Sequence, residues 1–280
     1  MGNQFSIDVD NSINSGQVFL WEKCGHDWYG INGQDILKIN KNACIKSIQK
    51  SKTDFFRNND NMQEIMKSIS KDKTVKKAIK QYEGLRIFKQ DPFQCMISFI
   101  ISSNSNIQKI KNSLEKITAK FGVKVQIQNK EFFLFPKPEK LAKASIEEIK
   151  KCGVGYRAPF IKQAAQMVFS KKIDFEYLKK CDYKEAKKNV CLIPGVGNKV
   201  ADCILLFSLN KLEAFPLDTW MIKILEKYYS NEFKIETKTI TQKQYEILHE
   251  KIVNYFGPYC GYAQQFLFKM ERESHNKKWL

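Results

Sequence analysis

The stretch Leu192-Ile193-Pro194-Gly195-Val196-Gly197-Asn198-Lys199 constrains the fold more tightly than any other part of the chain. Two glycines two residues apart permit a tight turn whose main-chain N–H groups are not shielded by side chains. Upstream, Asp182 with Glu185 three residues on has the capping-box spacing, which opens a helix over about 183–190. Downstream, Val200, Ile204 and Phe207 share the apolar face of a second helix. The N-terminus of that second helix, with its dipole and unbonded N–H groups, favours an anion. A hairpin of this kind, spanning about 183–209, is suited to a nucleic-acid phosphate; touching backbone and not base edges, it would bind without reading sequence. A plain corner between two helices has the same local pattern.

The rest of the chain reads as strands followed by helices. Through roughly the first 60 residues the pattern is that of strands. Trp28-Tyr29-Gly30-Ile31 and Gln34-Asp35-Ile36-Leu37-Lys38-Ile39 flank Asn32-Gly33, a dipeptide suited to a two-residue hairpin. An antiparallel sheet with one solvated face is expected there. From about Met62 the period becomes helical. Asp91-Pro92 caps and opens an apolar helix through Ile101, which stops at Ser102-Ser103-Asn104-Ser105-Asn106. Ile107, Ile110, Leu114, Ile117 and Phe121 then lay one apolar stripe along the next helix. Ser145 with Glu148 and Thr241 with Gln244 mark two further helix starts, and Pro136-Lys137-Pro138 a short loop. The fold class is therefore α+β: residues 1–85 as an N-terminal antiparallel sheet domain with a following helix, and 86–280 as a mainly helical region containing the hairpin.

Composition narrows the partners. The 280 residues carry a formal net charge of +17, which calls for a polyanion, although a Lys-rich chain also gains solubility this way. With 43% hydrophobic residues, 20 of them Phe, a sizeable core is available. The cysteines at 24, 44, 95, 152, 181, 191, 203 and 260 form no Cys-x-x-Cys pair, so disulfides and zinc are not expected. No run approaches the roughly 18 apolar residues of a membrane span, and no signal-peptide pattern opens the chain. Met1-Gly2-x-x-x-Ser6 fits a short acylation pattern that coincidence also explains. A monomer in the cytoplasm of a prokaryote is expected, or in the nucleus of a eukaryote.

Lys199 falls in the first turn of the second helix, where the dipole opposes a positive charge and Val200, Cys203 and Ile204 can desolvate it. A neutral lysine amine is a nucleophile that can proceed through a Schiff base. Asp218, in Ala214-Phe215-Pro216-Leu217-Asp218-Thr219-Trp220, stands where a helix N-cap would. A carboxylate at that helix mouth could equally support an oxocarbenium-like transition state. By local pattern alone the two residues are also compatible with a solvated lysine and an ordinary cap.

Taken together, Ile193 through Cys203 followed by Pro216-Leu217-Asp218 resembles the signature of the helix-hairpin-helix, Gly/Pro-Asp superfamily of DNA glycosylases. A lysine after the hairpin resembles its bifunctional members, and Val200-Ala201-Asp202-Cys203 its 8-oxoguanine branch. Four more segments resemble the same branch in the same order. Gly16-Gln17-Val18-Phe19-Leu20-Trp21 is similar to the motif whose first glycine offers a carbonyl to the N7 hydrogen of oxidised guanine. Ser102 through Asn106 is similar to the loop whose first Asn, here Asn104, fills the vacated stack. Gly153-Val154-Gly155-Tyr156-Arg157 is similar to the turn whose Tyr wedges the duplex and whose Arg meets the orphaned cytosine. Gly257 through Phe268 is similar to the helix whose Gln264 reads the base edge and whose Phe268 stacks on the base opposite Cys203.

The resemblance implies a glycosylase and lyase acting on duplex DNA with 8-oxoguanine opposite cytosine, with Lys199 and Asp218 catalytic and Gly195 and Gly197 on the DNA backbone. It implies no cofactor. Relatives with an iron–sulfur cluster carry four cysteines after the aspartate, whereas only Cys260 follows Asp218 here. Departures from the family pattern are Lys109 in place of an Arg that contacts the orphaned cytosine, Trp220 in place of a His, and Asn198 and Leu20 in place of Thr and Arg. Lysine is a point donor without a planar fork, so opposite-base preference is left open. A glycosylase for alkylated bases and a non-enzymatic DNA-binding module are the alternatives.

Overall fold

The computed structural model describes residues 6–47, 54–127, 130–235 and 240–275, so the Met1-Gly2 start of the acylation pattern lies outside it. A short helix precedes the strands: α1 (Val9–Ile13), capped by Asp8, whose carboxylate accepts from the N–H of Asn11. At five residues it is too short to show a period in the sequence, and the expectation of strands throughout this region is corrected accordingly. Strands β1 (Trp21–Cys24), β2 (Asp27–Asn32), β3 (Asp35–Ile39) and β4 (Ile45–Ser47) then form an antiparallel meander. Asn32 pairs with Asp35, so the turn is Gly33-Gln34, one residue later than expected. Gly33 has φ +62° and Gln34 does not have positive φ, as in a turn with glycine at its first central position. The Asn32 carboxamide oxygen instead accepts from the Asp91 N–H and ties the hairpin to the helical region.

Both faces of the sheet are covered, contrary to the expected solvated face. Ile31 and its cross-strand partner Ile36 join the larger core, whereas Trp21, Trp28, Leu37 and Ile39 close a second core with Val9, Ile13, Phe55, Phe56 and Phe88. The helical region continues through α2 (Met62–Ile69), α3 (Lys73–Gln81), α4 (Pro92–Ser102) and α5 (Ile107–Phe121). A small unanticipated hairpin follows, β5 (Lys124–Ile127) and β6 (Lys130–Phe133), with Phe132 stacked on Tyr29 at 5.8 Å. Then come α6 (Pro138–Lys143), α7 (Ile146–Ile149), α8 (Ala158–Phe169), α9 (Phe175–Lys180), α10 (Tyr183–Cys191) and α11 (Asn198–Ser208). The chain closes through α12 (Thr219–Tyr228), α13 (Gln242–Phe256) and α14 (Cys260–Ser274).

Helix starts follow the sequence closely. Ser145 and Thr241 form complete capping boxes. Asp182 makes only half of one, because the Glu185 carboxylate accepts from the Tyr177 hydroxyl instead. Helices α4 and α11 pack together with every residue of α11 from Val200 to Ser208 buried, and Phe99 stacks on Phe207 at 5.5 Å. The larger core runs from Phe19 to Met270, joining sheet and helices. No helix among the described residues is long and apolar enough to cross a membrane.

Candidate active site

A cleft of about 1410 Å³ opens where the α4–α5 loop, the α10–α11 hairpin, the start of α12, and α14 converge. Its lining includes Gly16, Asn104, Gly195, Gly197, Lys199, Cys203, Asp218, Gln264 and Phe268. These residues are distant in the chain, so it is tertiary packing that gathers them. Lys109, Tyr156 and Arg157 lie outside that lining.

The hairpin has the geometry its glycines allow. Gly195 adopts φ +82°, and a methyl group there would sit 2.9 Å from the Phe160 side chain, so glycine is required twice over. Gly197 is the N-cap of α11, with ordinary extended φ and nothing within 4 Å of a Cβ. Neither backbone strain nor internal packing requires glycine at 197.

Lys199 is half-buried, with its Nζ 5.4 Å from the centre of the Phe99 ring. One turn on, Cys203 is buried, and burial pushes its thiol up to about 12. It is therefore a neutral, polarisable wall at physiological pH. Asp218 caps α12 with one oxygen, Oδ1, which accepts from the N–H groups of Trp220 at 2.9 Å and Met221 at 2.8 Å. Among the described residues Oδ2 accepts no hydrogen bond, which leaves half the carboxylate open toward the cleft's contents. The cap and the proposed catalytic role, treated as alternatives from sequence, are thus compatible.

Gly16 is held from below by Gln17. The buried Gln17 amide donates to the Arg86 carbonyl at 2.8 Å and accepts from Phe88 N–H at 2.8 Å, while Gln90 donates to the Gln17 carbonyl. Gln264 is buried, and its carboxamide oxygen accepts from Gln265 at 2.5 Å, while among the described residues its NH₂ donates to no protein group. Phe268 carries the Arg272 guanidinium 5.5 Å from its ring centre, and Arg272 also lies 5.6 Å from Trp220. Arg272, Trp220, Lys223 and Tyr245 line the cleft as well. Of these only Trp220 stood out in the sequence; the others come from α12, α13 and α14 and carry no local motif.

The Gly153–Arg157 turn presents Tyr156 with 58% of its surface exposed, an uncommon placement for a large aromatic. Arg157 lies 4.5 Å from the centre of that ring. Its guanidinium donates to the carbonyls of Ser103 and Asn104, and to that of Val154 at 3.2 Å. The turn therefore holds the loop bearing Asn104, a residue with φ +49°. Lys109 is exposed in the first turn of α5, where its N–H is capped by Asn106. No group of His, Cys, Asp and Glu suited to a metal occurs among the described residues.

Residues 97–250 match the family described as HhH-GPD superfamily base excision DNA repair protein, and residues 3–96 match the 8-oxoguanine DNA glycosylase N-terminal domain. The N-glycosylase/DNA lyase OGG1 of Arabidopsis thaliana is 31% identical over 277 residues, covering 92% of this chain and 75% of the relative. Among solved structures, MBOgg1 with a low affinity DNA ligand superposes with TM-score 0.87 at 30% identity, over 97% of this chain and 94% of that one. The Clostridium acetobutylicum 8-oxoguanine glycosylase/lyase, bound to double-stranded DNA with cytosine opposite 8-oxoguanine, gives 0.85 at 29% identity, over 98% and 97%.

Proposed function

The chain belongs to the HhH-GPD superfamily of base excision DNA repair proteins, in its 8-oxoguanine glycosylase branch, and from that premise we propose that it excises 8-oxoguanine from duplex DNA and then cleaves the strand. The observation that carries the reading is the shared cleft: Lys199 and Asp218 line it together with Gly16, Cys203, Gln264 and Phe268.

A base within a duplex must leave the stack before its glycosidic bond can be reached. In this reading Tyr156 wedges the duplex, Asn104 fills the gap, and Arg157 with Lys109 meets the orphaned cytosine. Gly195 and Gly197 bring bare N–H groups to a phosphate. The extruded base lies between Cys203 and Phe268, with Gln264 at its edge and the Gly16 carbonyl at N7–H. Among the described residues no donor reaches that carbonyl, which supports such a contact. The Lys199 amine attacks C1′ as the C1′–N9 bond breaks and the bonding pair leaves with the base. The Asp218 carboxylate stabilises the positive charge that develops on the sugar. The adduct opens to a Schiff base, loses a C2′ proton and expels the 3′ phosphate; water then frees Lys199. None of these steps uses a cofactor. Residues 1–85 supply the Gly16 strut and 86–280 the rest of the site, all from one chain, so a monomer suffices.

The test is a single-turnover reaction on duplexes with 8-oxoguanine opposite each of the four bases. Base release with strand cleavage, fastest opposite cytosine, is expected. Base release with no cleavage until hot alkali is added would instead indicate a monofunctional glycosylase, and a gel shift without base release a binding module.

A further inference from the structure

The cleft has a buried polar support that no part of the proposed reaction uses. Asp202 lies one turn beyond Lys199 on α11 and is 0% exposed. Its carboxylate accepts from the Tyr183 hydroxyl at 2.7 Å and from the Tyr245 hydroxyl at 2.5 Å. Lys187 on α10 completes the cluster, its Nζ 3.0 Å from Oδ1 and 4.2 Å from the Tyr245 ring centre. Burial, reinforced by the Asp202 charge, pushes both phenols up, so they remain donors. A buried carboxylate persists only when its charge is matched and its lone pairs are filled.

Tyr245, on α13, links this cluster to the other half of the site. While it donates to Asp202, its oxygen accepts the Leu217 N–H at 3.2 Å and lies 3.3 Å from the Phe215 carbonyl. Leu217 directly precedes Asp218. One hydroxyl therefore connects the helix bearing Lys199 to the segment bearing Asp218, and Tyr245 also borders the cleft itself.

We propose that Asp202 and Tyr245 are positioning residues that fix Asp218 relative to Lys199, through the chain Asp202 carboxylate, Tyr245 hydroxyl, Leu217 N–H. The inference rests on the assignment of Lys199 and Asp218 above. Without the hydroxyl the 215–217 segment loses its tie to α11, and the carboxylate is free to drift from the sugar. Displacements of about an ångström cost up to about a hundredfold in rate.

The decisive comparison is Tyr245→Phe against Tyr183→Phe. Each removes one phenol from the same carboxylate, but only Tyr245 contacts the segment before Asp218. Single-turnover excision is measured on 8-oxoguanine opposite cytosine, well below each variant's Tm, with binding to an abasic-analogue duplex in parallel. Tyr245→Phe should slow excision about tenfold or more at unchanged affinity for the analogue, and Tyr183→Phe, which leaves the Tyr245–Leu217 bond in place, should slow it several-fold less. Equal slowing by both variants, or a native rate in Tyr245→Phe, overturns the proposal. Asp202→Asn is a second arm, expected to slow excision to a similar degree if it folds. If Lys199→Gln and Asp218→Asn retain full activity, the functional reading fails; if they abolish activity while Tyr245→Phe does not, only the positioning role fails.

Discussion

Gly195 and Gly197 are two residues apart in one turn, yet they are glycine for different reasons. Gly195 has positive φ and abuts Phe160, so Gly195→Ala should destabilise the fold by about 1–3 kcal/mol in a thermal or urea melt. Gly197 has open space where its Cβ would be, so Gly197→Ala should cost about 1 kcal/mol at most, the preference for glycine over alanine at an N-cap. Its effect should appear in DNA affinity, as a loss of about tenfold in anisotropy titrations with an abasic-analogue duplex; unchanged affinity would remove the phosphate from this turn. Cys203 gives a second residue-level prediction. With its thiol pushed up to about 12 by burial, it should resist iodoacetamide at pH 8 while exposed Cys44 reacts, as read by peptide mapping. These residues were legible in sequence because each lies in a contiguous motif. Gln17 was legible only as part of one; its role as the strut under Gly16 depends on Arg86 and Phe88, some 70 positions away.

At the scale of elements, the sequence revealed the helices that begin with a side-chain cap or carry a long apolar stripe. The Asp91-Pro92 start of α4, the stripe of α5 and the hairpin of α10 and α11 lie where caps and periods placed them. It did not reveal α1 or the β5–β6 hairpin, which are too short to establish a period and are held by tertiary contacts such as Phe132 on Tyr29. The sheet's second covered face was hidden for the same reason, since Phe55, Phe56 and Phe88 come from outside the strands. Coupling between elements also shaped the site. Arg157 donates to the Ser103 and Asn104 carbonyls and so ties the loop bearing Asn104 to the turn bearing Tyr156. Arg157→Ala should therefore raise amide hydrogen exchange over 103–106 in the free protein and weaken lesion-duplex binding about tenfold. Unaltered exchange in that loop would show that the guanidinium does not restrain it.

For the whole molecule, buried acids with raised pKa set the response to alkali. The Cys95, Cys203 and Cys260 thiols are all pushed up by burial, as are the Tyr245 and Tyr262 phenols. Such groups keep their protons in the folded state and lose them on unfolding, so stability is intact below the unfolded thiol pKa and declines as pH rises past it. Each thiol contributes a loss of about 1.4 kcal/mol per pH unit above roughly 8.5–9, and urea midpoints should fall steadily from pH 8.5 to 10.5. A flat profile would mean that the thiols ionise in place. The fold class and most of the cleft were readable because the motifs are contiguous and occur in a fixed order. Tyr245, Lys223 and Arg272 were not, because only the packing of α12, α13 and α14 brings them to the same opening. The proposed chemistry turns on Lys199 as the amine joined to the sugar. Borohydride trapping on duplex with 8-oxoguanine opposite cytosine, followed by peptide mass spectrometry, tests it directly. One covalent protein–DNA adduct is expected, at Lys199, and Lys199→Gln should abolish it; an adduct of undiminished yield in Lys199→Gln would assign the chemistry to another amine.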